Sequence, residues 1–95
     1  MACTYSAPEI EELVVFVYRE ILHDDTITPF SRFGPGKEID IDSEARRAFY
    51  FPLKQRIDRA PDCVIAELTP DDVQQAKTVG DIVNAICTEF GIANA

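Results

Sequence analysis

The sequence predicts a small all-α bundle, three main helices plus one short helix with a long first loop. Three observations carry this. Apolar residues recur at three- and four-residue spacing in the main segments. The segments open on helix-cap residues, Ser6, Ser43, Thr69 and Thr78. The first two are separated by some twenty residues broken by prolines and glycines, too irregular to be another element. At 95 residues the chain makes one domain, residues 1–95, with a single core and little stability to spare.

The first helix is expected at about residues 7–22. Ser6 and Glu9 form a capping box, and Pro8 sits in the first turn, where its missing N–H costs little. Ile10, Leu13, Val14, Val17 and Ile21 share one face, while Val15, Phe16 and Tyr18 widen it, so the helix should be flanked on two sides. In the connection 23–42, Ile27, Phe30, Phe33 and Ile39 suggest a loop pinned onto the core. His23, Asp24 and Asp25 are adjacent and cannot easily converge on one ion, so no metal site is expected. A favourable contact of His23 with the helix C-terminus is the simpler reading.

The second helix starts at Ser43, a good N-cap, with Ala45, Ala48, Phe49, Leu53 and Ile57 able to share a face. Pro52 should kink or break it near Phe51. An irregular stretch follows, with a short extended run at Cys63–Ala66. Thr69, Pro70, Asp71 and Asp72 then start a helix of two turns. Thr78 caps the last one, with Asp81 as a weaker capping-box partner. Its stripe is Val79, Ile82, Val83, Ile86 and Phe90, and Gly91 is a natural stop.

The net charge of −8 is unevenly spread. Residues 44–59 hold Arg46, Arg47, Lys54, Arg56 and Arg59 against Glu44 and Asp58, a local +3, which leaves −11 for the rest. Such a chain repels nucleic acid, and its basic segment is either a solvated helix face or a partner-selecting surface. No apolar run reaches the ~18 residues of a membrane span. The N-terminus lacks the basic-then-apolar order of a secretory signal, so a cytoplasmic protein without membrane insertion is expected. Cys3, Cys63 and Cys87 are odd in number and widely spaced, which predicts three reduced thiols, Cys87 in the core. With one histidine, no glycine-rich phosphate loop and no nucleophile among clustered carboxylates, no catalytic residues and no enzyme are expected. Asp40 and Asp42, on open extended chain, read as solvated carboxylates.

From Glu9 to Phe90 the order of elements resembles an acyl carrier protein. The segment "LTPDDVQQAKTVGDIVNAI" is the most similar part, and "IDIDSE" looks like the family's Asp-Ser-Leu attachment motif. The resemblance implies an acyl-carrier-like four-helix bundle, monomeric, with 4′-phosphopantetheine on Ser43 beside Asp42, carrying acyl thioesters in fatty-acid, lipid or secondary-metabolite biosynthesis. It implies as partners a phosphopantetheinyl transferase and acyl-transferring or acyl-modifying enzymes. A phosphodiester at a helix start would meet the positive end of the helix dipole. Glu44, Arg46 and Arg47 are the candidate partner-binding residues; Phe49, Leu53, Val79, Val83 and Ile86 are the candidate acyl-pocket lining. Where the family has Leu after the serine, this chain has Glu44, and its second helix is basic where the family's is acidic. The alternative readings are Ser43 as a helix cap only, and an unmodified carrier-fold protein serving as a protein–protein adaptor.

Overall fold

A computed structural model describes residues 3–60 and 62–92. It is a small helical bundle of five segments: α1 Ala7–Leu22, α2 Ser43–Ala48, α3 Tyr50–Ile57, α4 Pro70–Gln75 and α5 Val79–Glu89. No strand forms among the described residues, Cys63–Ala66 included; Arg32–Thr78 and Phe33–Ile39 make isolated bridges. α1 packs on α5 and α3, and α2 lies across α4.

The capping boxes expected at Ser6–Glu9 and Thr78–Asp81 form, and Thr69–Asp72 makes a third that the sequence reading did not name; each joins a hydroxyl to the third-residue amide and a carboxylate back to the cap amide. At the end of α1, His23 takes the left-handed conformation (φ 52°) and its backbone N–H donates to the Arg19 carbonyl. Gly91, with φ 68°, follows the last turn of α5.

α2 and α3 are one predicted helix in two pieces. The break falls at Phe49, not near Phe51 as the position of Pro52 suggested. The reason is that a proline acts one turn back: it has no N–H for the Ala48 carbonyl and its ring presses on it. The chain steps at Phe49 and Pro52 then lies in the first turn of α3, with the Leu53 amide donating to the Phe49 carbonyl at 3.1 Å.

The core joins Ile10, Val14 and Tyr18 of α1 to Leu53 and Ile57 of α3 and Val79, Ile82 and Ile86 of α5, all essentially without solvent contact. The Tyr18 ring stacks on Phe49 at 4.3 Å and tilts against Phe33 at 5.4 Å. Its hydroxyl is buried without a hydrogen-bond partner among the described residues, and burial pushes its ionisation upward. A neutral, unpaired phenol there costs about 1–3 kcal/mol.

The long connection is pinned as its apolar residues suggested, by buried Ile27, Phe33 and Ile39; Phe30, however, is 86% exposed, because it sits at the tip of the Thr28–Ser31 turn. Backbone bonds fasten the loop to the start of α5: Phe33 to the Lys77 carbonyl, Val79 to Ser31, Gly80 to Pro29. Gly80 permits this, since a Cβ there would lie 3.0 Å from the Pro29 oxygen. Arg32 and Glu38 form a two-pronged ion pair, 2.8 Å on each prong, across the loop.

The cysteines depart from expectation. Cys3 and Cys63 form a disulfide, with Cα atoms 4.9 Å apart across 60 residues of sequence. Wide spacing concealed the pair, because only the folded chain brings the segment before α1 against the one after α3. Cys87 is the free thiol, buried in the core, and desolvation raises its pKa. Among the described residues no helix is long and apolar enough to cross a membrane.

Candidate functional site

Ser43 opens α2 but does not cap it. The cap is Asp42, in extended conformation (φ −72°, ψ 171°), whose carboxylate accepts from the Ala45 amide at 2.7 Å. Two residues competent to cap stand side by side, and the carboxylate takes the role; a charged acceptor makes the stronger bond to a helix-start N–H. This corrects the reading of Ser43 as N-cap and leaves its hydroxyl free of that duty. Ser43 is the first residue of the helix and exposed.

One side chain the sequence did not single out meets it there. Gln74, in the last turn of α4, donates from Nε2 to the Ser43 carbonyl oxygen at 3.1 Å and to Oγ at 3.3 Å. Nothing in the sequence around Gln74 signals this; it follows from α2 crossing α4. The same crossing pairs Arg47 with Asp71.

The basic residues of α2 therefore differ. Arg47 is exposed and ion-paired, with a partner on α4 and not the neighbouring Glu44 or Asp42. Arg46 is half-buried, and its Nε lies out of solvent without a partner among the described residues. Glu44 is exposed. Asp40 accepts from the Gly36 amide at 3.2 Å and so serves the loop turn. Asp24, beside His23, accepts from the amide and hydroxyl of Thr26, which hold its pKa low.

The five candidate pocket residues, Phe49, Leu53, Val79, Val83 and Ile86, are all buried and belong to one core cluster. Next to Ser43 the structure also places an apolar depression that the sequence did not foretell, walled by Ile21 and Leu22 of α1, Ile41, Ala45 of α2, Phe49, and Pro52 of α3.

A phosphodiester on Ser43 fits these residues in two respects: the oxygen that would carry it is exposed, and the Gln74 amide is a ready donor to an anionic oxygen. Asp42 and Glu44 are the carboxylates flanking it in sequence. No family model, curated protein or solved structure matches the chain.

Proposed function

We propose that the protein is a divergent acyl carrier in fatty-acid, lipid or secondary-metabolite biosynthesis, not itself an enzyme, acting as a monomer. Ser43 would hold a 4′-phosphopantetheine arm that presents acyl thioesters. The observation that supports this best is the division of labour at the start of α2: Asp42 caps, so the Ser43 hydroxyl stands exposed and chemically available. In the loading step a transferase would move the arm from coenzyme A. The Ser43 oxygen loses its proton and bonds to phosphorus, and the pyrophosphate link breaks to release adenosine 3′,5′-bisphosphate. Glu44, Arg46 and Arg47 would face the transferase and the acyl-handling enzymes. A partner with an acidic or apolar docking surface suits this edge better than the basic patch an acidic second helix would need. Longer acyl chains would be sheltered by opening the core among Phe49, Leu53, Val79, Val83 and Ile86. A cytoplasmic setting goes with this reading; the Cys3–Cys63 crosslink weighs against it, since such bonds persist in oxidising surroundings and are rare in reducing ones.

The second reading, an unmodified adaptor, is favoured by one observation. Gln74 already bonds both oxygens of Ser43, which gives the serine a structural use in holding α2 on α4. Intact mass after exposure to coenzyme A and a broad-specificity transferase separates the two. A gain of one phosphopantetheine, abolished in Ser43→Ala, is expected; a homogeneous unmodified mass with several competent transferases would favour the adaptor.

A further inference from the structure

Gln74 bonds two oxygens of one serine, and the chemistry of that contact fixes which way each group faces. A backbone carbonyl oxygen only accepts, so the Gln74 atom 3.1 Å from the Ser43 carbonyl oxygen is the amide nitrogen. The same nitrogen lies 3.3 Å from Oγ. An amide NH2 only donates, so toward α4 the serine hydroxyl is an acceptor. Its own proton and its second lone pair therefore face away from α4. No other described residue bonds this hydroxyl. The adjacent Asp42 carboxylate is engaged by the Ala45 amide, and Arg47, one turn on, by Asp71. Ser43 is exposed, so the proton is turned to solvent.

The donor is itself held. Gln74 is half-buried, and Val73 beside it is fixed in the core at 1% exposure. The Arg47–Asp71 pair ties the same two helices one turn away from the Ser43–Gln74 contact. A serine without such a neighbour samples about three side-chain rotamers and about three hydroxyl orientations, so any one combination holds about one part in nine. A donor that selects a single combination raises that share by up to about ninefold.

We infer that Gln74 is a positioning residue for the chemistry at Ser43: it holds Oγ as an acceptor toward α4, so that the hydroxyl proton and a free lone pair are turned outward together. The inference rests on the carrier reading. In the loading step the lone pair must meet the phosphorus of coenzyme A and the proton must meet a base of the transferase, as adenosine 3′,5′-bisphosphate leaves. Both are on the approachable side when the residue on α4 donates. An acceptor of the same size there would draw the proton inward, toward α4. If Gln74 only held α2 on α4, any change that loosened the crossing would act alike, whatever its donor or acceptor character.

Loading is followed by intact mass in a single turnover, with coenzyme A and excess broad-specificity transferase acting on the full oxidised chain. Gln74→Met, similar in length but without a donor, should lower the maximal rate about five- to tenfold and leave the transferase concentration at half-maximal rate within about twofold. Gln74→Glu, an acceptor when ionised, should be as slow, while Gln74→Lys, a donor, should stay within about threefold of the parent. Asp71→Ala cuts the other tie between the helices. It should speed amide exchange in residues 44–48 as Gln74→Met does, with a maximal rate close to the parent's. Without any loading, Ser43→Ala should move the side-chain amide proton resonances of Gln74. A parent that gains no mass would end the carrier reading and this inference with it. With a loaded parent, a Met or Glu variant as fast as the parent, a Lys variant as slow as Met, or Asp71→Ala as slow as Gln74→Met would overturn this inference alone. So would Gln74 resonances that stay in place in Ser43→Ala.

Discussion

Two parts of the molecule hold their place by different means. The connection from α3 to α4 is irregular, yet it is fastened repeatedly. Cys63 is bonded to Cys3, Lys54 and Asp58 grip the carbonyl and amide of Ile65, and the Glu89 carboxylate accepts from the amides of Ala66 and Leu68 at 2.7 Å each. Helix α2 has regular hydrogen bonding but buries none of its residues, and it rests on α4 through surface contacts: Arg47 with Asp71, Gln74 with Ser43. Regular secondary structure is thus the looser of the two. Local opening should favour segments with few buried apolar groups, so α2 should exchange its amides well before the 63–68 segment does.

Breaking the fastened region should have the largest effect. Cys3→Ala removes a crosslink spanning 60 residues. In the chain-entropy account its loss should cost about 4 kcal/mol, read as a lower urea midpoint with α2 exchange little altered relative to the rest. Parent protein treated with a dithiol reductant should fall to the same midpoint.

Loosening α2 should cost less but sharpen the contrast. Asp42→Ala deletes the cap bond to Ala45 and should lower stability by about 1 kcal/mol. The amides of residues 44–48 should exchange faster while those of Ile65 and Leu68 stay protected. Asp42→Ser should recover most of the loss, because a hydroxyl can take the same bond.

The smallest effect concerns the long loop that precedes both regions in sequence. Arg32 and its backbone N–H hold the Glu38 carboxyl down at about 2, from an ordinary 4.5. A depressed acid stabilises the fold above its unfolded pKa and loses that contribution as pH falls through the folded one. The contribution is therefore complete above about 4.5 and gone below about 2. A carbon-detected NMR titration of Glu38 should show an inflection near the lower value, returning toward the upper one in Arg32→Gln. Both side chains are exposed, so the change in global stability should be slight.

Much of this fold was legible in the sequence where a physical signal is local. Ser6 and Thr78 announce α1 and α5 through capping boxes, and Thr69 with Pro70 announces α4, because each signal needs residues no more than three apart. Signals that depend on competition were misread. Asp42 and Ser43 are each good caps, and nothing nearby says which bonds Ala45; the step ascribed to Pro52 appears at Phe49 because a proline disturbs the turn before it. Contacts set by the crossing of distant segments left no trace. Neither the Cys3–Cys63 bond nor the reach of Gln74 to Ser43 has a spacing rule, and Phe30 looks like a core residue until the turn carries it outward. At the candidate site the serine and its neighbour were legible, while its partner on α4 and the apolar depression beside it were not.

The crosslink also fixes how the chain yields to force. A pull on the two termini is carried past residues 3–63 by the sulfur–sulfur bond, so everything from α1 to the end of α3 is mechanically shielded. Only the stretch beyond Cys63, with α4 and α5, can be drawn out, to a contour of about 110 Å at full extension against about 320 Å for the reduced chain. Under tension the oxidised protein would therefore shed α4 and α5, and with them the contact that Gln74 makes to Ser43, while the serine's own helix stayed inside the closed loop.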